Sequence, residues 1–222
     1  FLSDIWTYSS GMWQRKTSIL PDGPASRHTM ETLNETHVLI HTFRCDGFVL
    51  LYDVANDVVY KQKTTGRGPC GLSMQCSAML ENRTFVLFGG TNKSQTMTNS
   101  VFCLDISDWN WYRFQCNDGP TPRASSSMCT IGQSVLVFGG AELQGDYDRG
   151  MGLKAKCDLW HFSLSPPVWK YIPMLANPSP RVAAIMERGR GNIVVSGGWD
   201  PATRNVLNDS FSLKIQSDFS IV

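Results

Sequence analysis

Phe85-Val86-Leu87-Phe88-Gly89-Gly90 returns as Val135-Leu136-Val137-Phe138-Gly139-Gly140 and again as Ile193-Val194-Val195-Ser196-Gly197-Gly198. The second diglycine follows the first by 50 residues (89 to 139), and the third follows the second by 58 (139 to 197). Each copy is a β-branched and aromatic run, the composition of a buried strand. Each closes on two glycines, which permit a tight turn with positive φ. Self-similarity at such a period marks a repeat architecture.

The flanks repeat as well. Upstream of each run lies a small-residue segment (Met74–Met79, Ala124–Cys129, Val182–Met186) that ends in a turn, so each unit opens with a hairpin, strands a and b. Downstream come Val101–Asp105, Leu159–Leu164 and Ser210–Ile215 as strand c. Trp111, Trp169 and Phe219 then mark strand d. Arg123 and Arg181, each after a proline, stand sixteen residues before their diglycines, and that offset falls on Ser73 in the earlier copy. A weaker unit lies upstream, with Arg27 at its start, Val38–Ile40 as b, Phe48–Asp53 as c and Val58–Tyr60 as d. Thr42-Phe43 stand where its glycines belong. Before it, Asp4–Tyr8 and Trp13 read as strands c and d of a unit without a and b. No segment carries helical period with caps.

Four-stranded units of about 50 residues, with Gly-Gly closing b and Trp on d, resemble the kelch repeat over nearly the whole chain. The resemblance implies an all-β fold, a kelch-type β-propeller of four-stranded antiparallel blades around a channel. The expected division is a half blade at 1–20 and blades at 21–65, 66–119, 120–175 and 176–222. Kelch propellers have six or seven blades. The chain therefore reads as part of a larger ring, completed by another segment or another chain; the alternative is a small closed ring or an arc.

Composition narrows the function classes. The formal net charge is +1, which argues against a nucleic-acid or anionic-membrane partner. No apolar run approaches a membrane span. The aromatic content of 11% with near neutrality argues against disorder. Phe1 shows no signal-peptide pattern, and the chain reads as a processed or excised piece, or one whose true start is missing. Seven cysteines (45, 70, 76, 103, 116, 129, 157) form no CxxC and no zinc pattern. They read as reduced core thiols of a cytoplasmic protein, or as partly paired in a secreted one. Four N-glycosylation sequons begin at Asn34, Asn82, Asn92 and Asn208, all at turns or strand ends.

The resemblance places the d-to-a connections and b-to-c loops on one face, where several kelch domains bind acidic peptides through arginines. Arg27, Arg123 and Arg181, with Ser73 at the same offset, are therefore candidate partner-binding residues. Each arginine either pairs with a partner carboxylate or braces neighbouring loops through carbonyls and aspartates. The loop Ala141–Lys156 is long, and Tyr147 and Arg149 within it are hot-spot residue types. Trp199, directly after a diglycine, is either an interface anchor or a plug on the next blade. His28 lies near this mouth, whereas His37, His41 and His161 fall in strand runs. No HExxH, GxSxG or P-loop is present. The expectation is a non-enzymatic platform without metal or cofactor, docking a protein partner. A metal-dependent propeller enzyme and an extracellular adhesion propeller are the rival readings.

Overall fold

The computed structural model describes residues 2–115, 117–144, 152–175 and 178–214. Among them all regular structure is β. The chain begins with a two-stranded half blade, β1 (Asp4–Ser9) and β2 (Met12–Ile19). Blade 1 follows as β3 (Thr29–Thr32), β4 (His37–His41), β5 (Phe48–Asp53) and β6 (Val58–Lys63). β7 (Thr65–Gly66) lies along the outer edge of blade 2, which comprises β8 (Cys76–Leu80), β9 (Thr84–Phe88), β10 (Val101–Asp105) and β11 (Asn110–Phe114). Blade 3 starts with β12 (Ser127–Ile131) and β13 (Ser134–Phe138). It then throws out a ribbon, β14 (Ala141–Gln144) against β15 (Gly152–Ala155), and returns as β16 (Leu159–Leu164) and β17 (Pro167–Ile172). Blade 4 is β18 (Ile185–Arg188), β19 (Asn192–Ser196) and β22 (Ser210–Lys214), with a small ribbon of β20 (Trp199–Asp200) and β21 (Asn205–Val206). Phe219, expected on its fourth strand, lies outside the described residues.

The alternation within each strand explains the stacking. Side chains on the two faces of a sheet belong to two different inter-blade cores. Val86, Phe88 and Cys103 of blade 2 meet Val135, Val137 and Phe162 of blade 3. Leu136, Phe138 and Leu159 of blade 3 point the other way, onto Ile193, Val195 and Leu213 of blade 4. Trp169 closes the first of these cores edge-on against Phe88, with centroids 5.1 Å apart, and Trp111 plays the same part between blades 1 and 2.

A belt of backbone bonds links the blades at one mouth. Arg27, Met74, Ser125 and Ala183 all have left-handed φ, between 53° and 60°. Met74 N–H donates to Arg27 O (3.3 Å), Ser125 N–H to Met74 O (2.8 Å) and Ala183 N–H to Ser125 O (2.8 Å). Such a conformation costs a non-glycine residue about 1 kcal/mol, and the inter-blade bond offsets it.

This belt corrects the expected register. Arg27 aligns with Met74, Ser125 and Ala183, two residues beyond the position of Arg123 and Arg181. Counting from β3 and β8, that position is occupied by Ala25 in blade 1 and Leu72 in blade 2. Ser73 is also off by one. The turn joining β8 to β9 spans three residues between Leu80 and Thr84, whereas the one joining β12 to β13 spans two between Ile131 and Ser134. Ser73 therefore pairs with Thr91, as Ala124 pairs with Ala141 and Val182 with Trp199.

Candidate docking mouth

Arg123 and Arg181 sit inside the blades, each with 1% of its surface exposed. All five guanidinium N–H groups of Arg123 are used. Nη1 and Nη2 hold Asp158 bidentately at 2.6 and 3.0 Å. Nη1 also donates to Gly139 O, Nε to Thr121 O, and Nη2 to Thr121 Oγ1. Arg181 repeats the set on Asp209 (2.7 and 2.9 Å), Gly197 O, Ser179 O and Ser179 Oγ. Each arginine thus ties the entry to strand a, the end of strand b and the start of strand c into one knot. Burial pushes the Asp158 carboxyl up, but the bonds and charge of Arg123 more than reverse this, leaving it below its ordinary value. Bracing, rather than presentation to a partner, is the arrangement these two arginines adopt.

The diglycines serve the same knot. Gly90 N–H donates to Arg123 O (2.8 Å), and Gly140 N–H to Arg181 O (3.0 Å). A Cβ on Gly89, where φ is +70°, would lie 2.5 Å from Arg123 O. No side chain fits between strand b and the next blade's arginine.

Above the belt opens a cavity of about 920 Å³. Arg27 of blade 1 and Lys93 of the blade 2 b-to-c loop bring positive charge to its lining, with His28 beside Arg27, and among the described residues no Asp or Glu lines it. Leu143 and Leu153 of the blade 3 ribbon and Trp199 of blade 4 contribute large apolar groups to the same lining. Ser73, Ser125 and Ser126 supply hydroxyls. Gln75 is buried with its amide against His41, and its Nε2 has no hydrogen-bond acceptor among the described residues. Burial pushes His41 down to about 4, so it is neutral at pH 7.

The structure therefore brings together Arg27, His28, Ser73 and Trp199 and turns Arg123 and Arg181 inward. Tyr147 and Arg149 lie outside the described residues. The base of their loop is an ordered hairpin rather than an irregular connection, because Ala141 to Gln144 pair with Gly152 to Ala155. Sequence reasoning named the loop that carries Leu143 and Leu153 without singling out these two residues, and it missed Lys93. Their signal was position alone: all three follow a diglycine within a b-to-c loop. His37, His41 and His161 do lie on strands. The six described cysteines are free thiols, and burial raises those of Cys76, Cys103 and Cys129 to about 12. Among the described residues, no three His, Cys, Asp or Glu side chains are grouped so as to hold a metal ion, and no helix is long and apolar enough to cross a membrane.

The KLHDC2/KLHL20/DRC7 Kelch-repeats domain matches residues 28–219. The chain belongs to the kelch-repeat family. Adagio protein 3 of Arabidopsis thaliana is 31% identical over 177 residues, which is 78% of this kelch chain and 26% of that protein. Acyl-CoA-binding domain-containing protein 4 of the same plant is 25% identical over 87% of the chain and 26% of its own length. Dynein regulatory complex subunit 7 of Chlamydomonas reinhardtii is 30% identical over 66 residues, 29% of the chain and 6% of that protein. The kelch chain thus spans about a quarter or less of these relatives. The structure of YjhT shares the fold, with a TM-score of 0.78 at 15% identity, over 99% of this chain and 74% of that one.

Proposed function

We propose that this kelch domain is a non-enzymatic docking platform whose mouth receives an acidic segment of a partner protein. The observation that carries the reading is a cavity lined by Arg27 and Lys93 from blades 1 and 2 and by Leu143, Leu153 and Trp199 from blades 3 and 4, with no carboxylate in its lining among the described residues. A partner carboxylate is placed over Arg27 and Lys93, where opposite charge steers association and fixes orientation. A large apolar side chain of the same segment packs on Leu143, Leu153 and Trp199, the kind of central anchor that dominates such interfaces. Arg123 and Arg181 act indirectly, by holding the loops that carry these groups.

The same proposal takes the four and a half blades as part of a larger ring. Four and a half blades over 74% of the YjhT chain scale to about six. The outward faces at both ends of the arc also carry large apolar groups, with Tyr8 60%, Trp13 68% and Ile185 71% exposed, as expected of surfaces that continue into further blades.

Selection from a displayed random-peptide library tests the mouth. The expected result is enrichment of peptides with Asp or Glu near a large apolar residue. Arg27→Glu with Lys93→Glu then weakens the selected peptides by about tenfold or more, and Leu153→Ser weakens them independently. Peptides without acidic enrichment, or equal binding by the charge-reversed variant with its fold intact, would overturn the reading.

A further inference from the structure

The four blades that have both a strand-a entry and a strand-c start form a natural comparison set. Register places Ser100, Asp158 and Asp209 at one position, immediately before the first c-strand residue that pairs with the end of b, and continuing the Ile40–Leu50 register by one pair puts Phe48 at that position in blade 1. The residues opposite them at the arginine position are Ala25, Leu72, Arg123 and Arg181. Blades 3 and 4 carry both the arginine and the aspartate, and blades 1 and 2 carry neither. Charge and counter-charge are kept or lost together, as the cost of burying an unpaired ion requires.

The half blade breaks this pattern. Tyr8 pairs with Trp13 as Phe162 pairs with Trp169, and Trp6 with Arg15 as Trp160 with Tyr171. Counted along β1 from these pairs, Asp4 stands where Asp158 stands, although a register shift in β2 beyond Trp6 sets Ile19 opposite Asp4. Its local geometry is the same too: Trp6 Nε1 donates to Asp4 Oδ2 at 2.9 Å, and Trp160 Nε1 to Asp158 Oδ2 at 2.8 Å. Yet Asp4 has no buried arginine among the described residues. Its nearest cation is Arg15 Nε at 3.7 Å, on a side chain 65% exposed. β1 is also the one described c-type strand without a b strand beside it, since it pairs with β2 alone.

We infer that Asp4 is the acceptor half of a third arginine clamp, and that the free edge of β1 takes a β-hairpin of this same repeat whose entry arginine binds that carboxylate. The inference rests on the ring-completion reading above. The hairpin adds its b strand antiparallel to β1, ends that strand in Gly-Gly, and places its arginine on both Asp4 oxygens. Strand addition of this kind satisfies the edge, which is otherwise open to unspecific pairing.

The test builds the hairpin from the protein's own sequence. A copy of residues 179–205 is placed directly before Phe1, so that the copied Arg181 stands as far from Asp4 as Arg181 stands from Asp209. Hydrogen exchange of the β1 amides and the thermal midpoint are measured. The expected result is exchange slowed about tenfold or more in β1 and a midpoint raised by several degrees, with the thermal gain lost on Asp4→Asn or on the copied Arg181→Gln. A gain that survives both substitutions overturns the clamp and leaves ring completion standing. A fusion with neither protection nor thermal gain overturns both.

Discussion

Asp158→Ala is the sharpest perturbation of the arginine clamp. The substitution leaves the Arg123 guanidinium, with 1% of its surface exposed, facing two lost bonds of 2.6 and 3.0 Å. Removing one partner of a buried ion pair costs about 3–5 kcal/mol, because the remaining charge is left without compensation. Three bonds from Arg123 to Gly139 O and Thr121 survive, which favours the lower end of that range, about 3 kcal/mol. In a domain of this size that lowers the midpoint by roughly 6–12 °C. The assay is urea unfolding followed by tryptophan fluorescence and circular dichroism together. Arg123→Met combined with Asp158→Leu removes both charges and is expected to recover much of the loss, because an apolar pair of similar volume is often neutral. A loss below about 1 kcal/mol for Asp158→Ala, or a double variant as unstable as the two single losses added, would refute the clamp as a buried, coupled unit.

Gly89→Ala sets a methyl group 2.5 Å from Arg123 O at a φ of +70°; calorimetry is expected to read a loss of roughly 1–3 kcal/mol, and an unchanged midpoint would refute the close approach. His41 gives a pH dependence: its folded pKa of about 4 lies below the unfolded 6.5, so its contribution is present above pH 6.5 and is lost as pH falls toward 4. The loss is about 3 kcal/mol at 1.36 kcal/mol per unit. Burial raises Glu31 and acts in the opposite sense, so the slope of stability against pH is compared with that of His41→Gln, and equal slopes would exclude His41 as its source. Maleimide labelling at pH 7.5 is expected to modify Cys70 and Cys157 before the buried Cys45, Cys76, Cys103 and Cys129, with peptide mass spectrometry as the readout.

The diglycine runs were legible because they answer a backbone demand that only glycine meets. They specify the end of strand b, the repeat and hence the kelch fold. The Pro-Arg pairs were legible as repeat features, but their role was not. Whether a guanidinium faces solvent or an aspartate 28 or 35 residues away depends on which loop ends the fold brings together. The belt residues Arg27, Met74, Ser125 and Ala183 share a conformation and no chemistry, so no pattern in the sequence marks them. Ser73 was displaced because a single extra turn residue among 81–83 is invisible until strands are paired.

The sequence by itself determined the blade unit, its strand order and the residues that seal adjacent sheets, because alternation and glycine placement act locally. Tertiary structure decided which cations face the mouth. Arg123 and Arg181 are consumed by carboxylates of their own blades, while Arg27 and Lys93, far apart in sequence, come together over one cavity. Counter-charge is a property of neighbours in space, and spacing along the chain does not carry it.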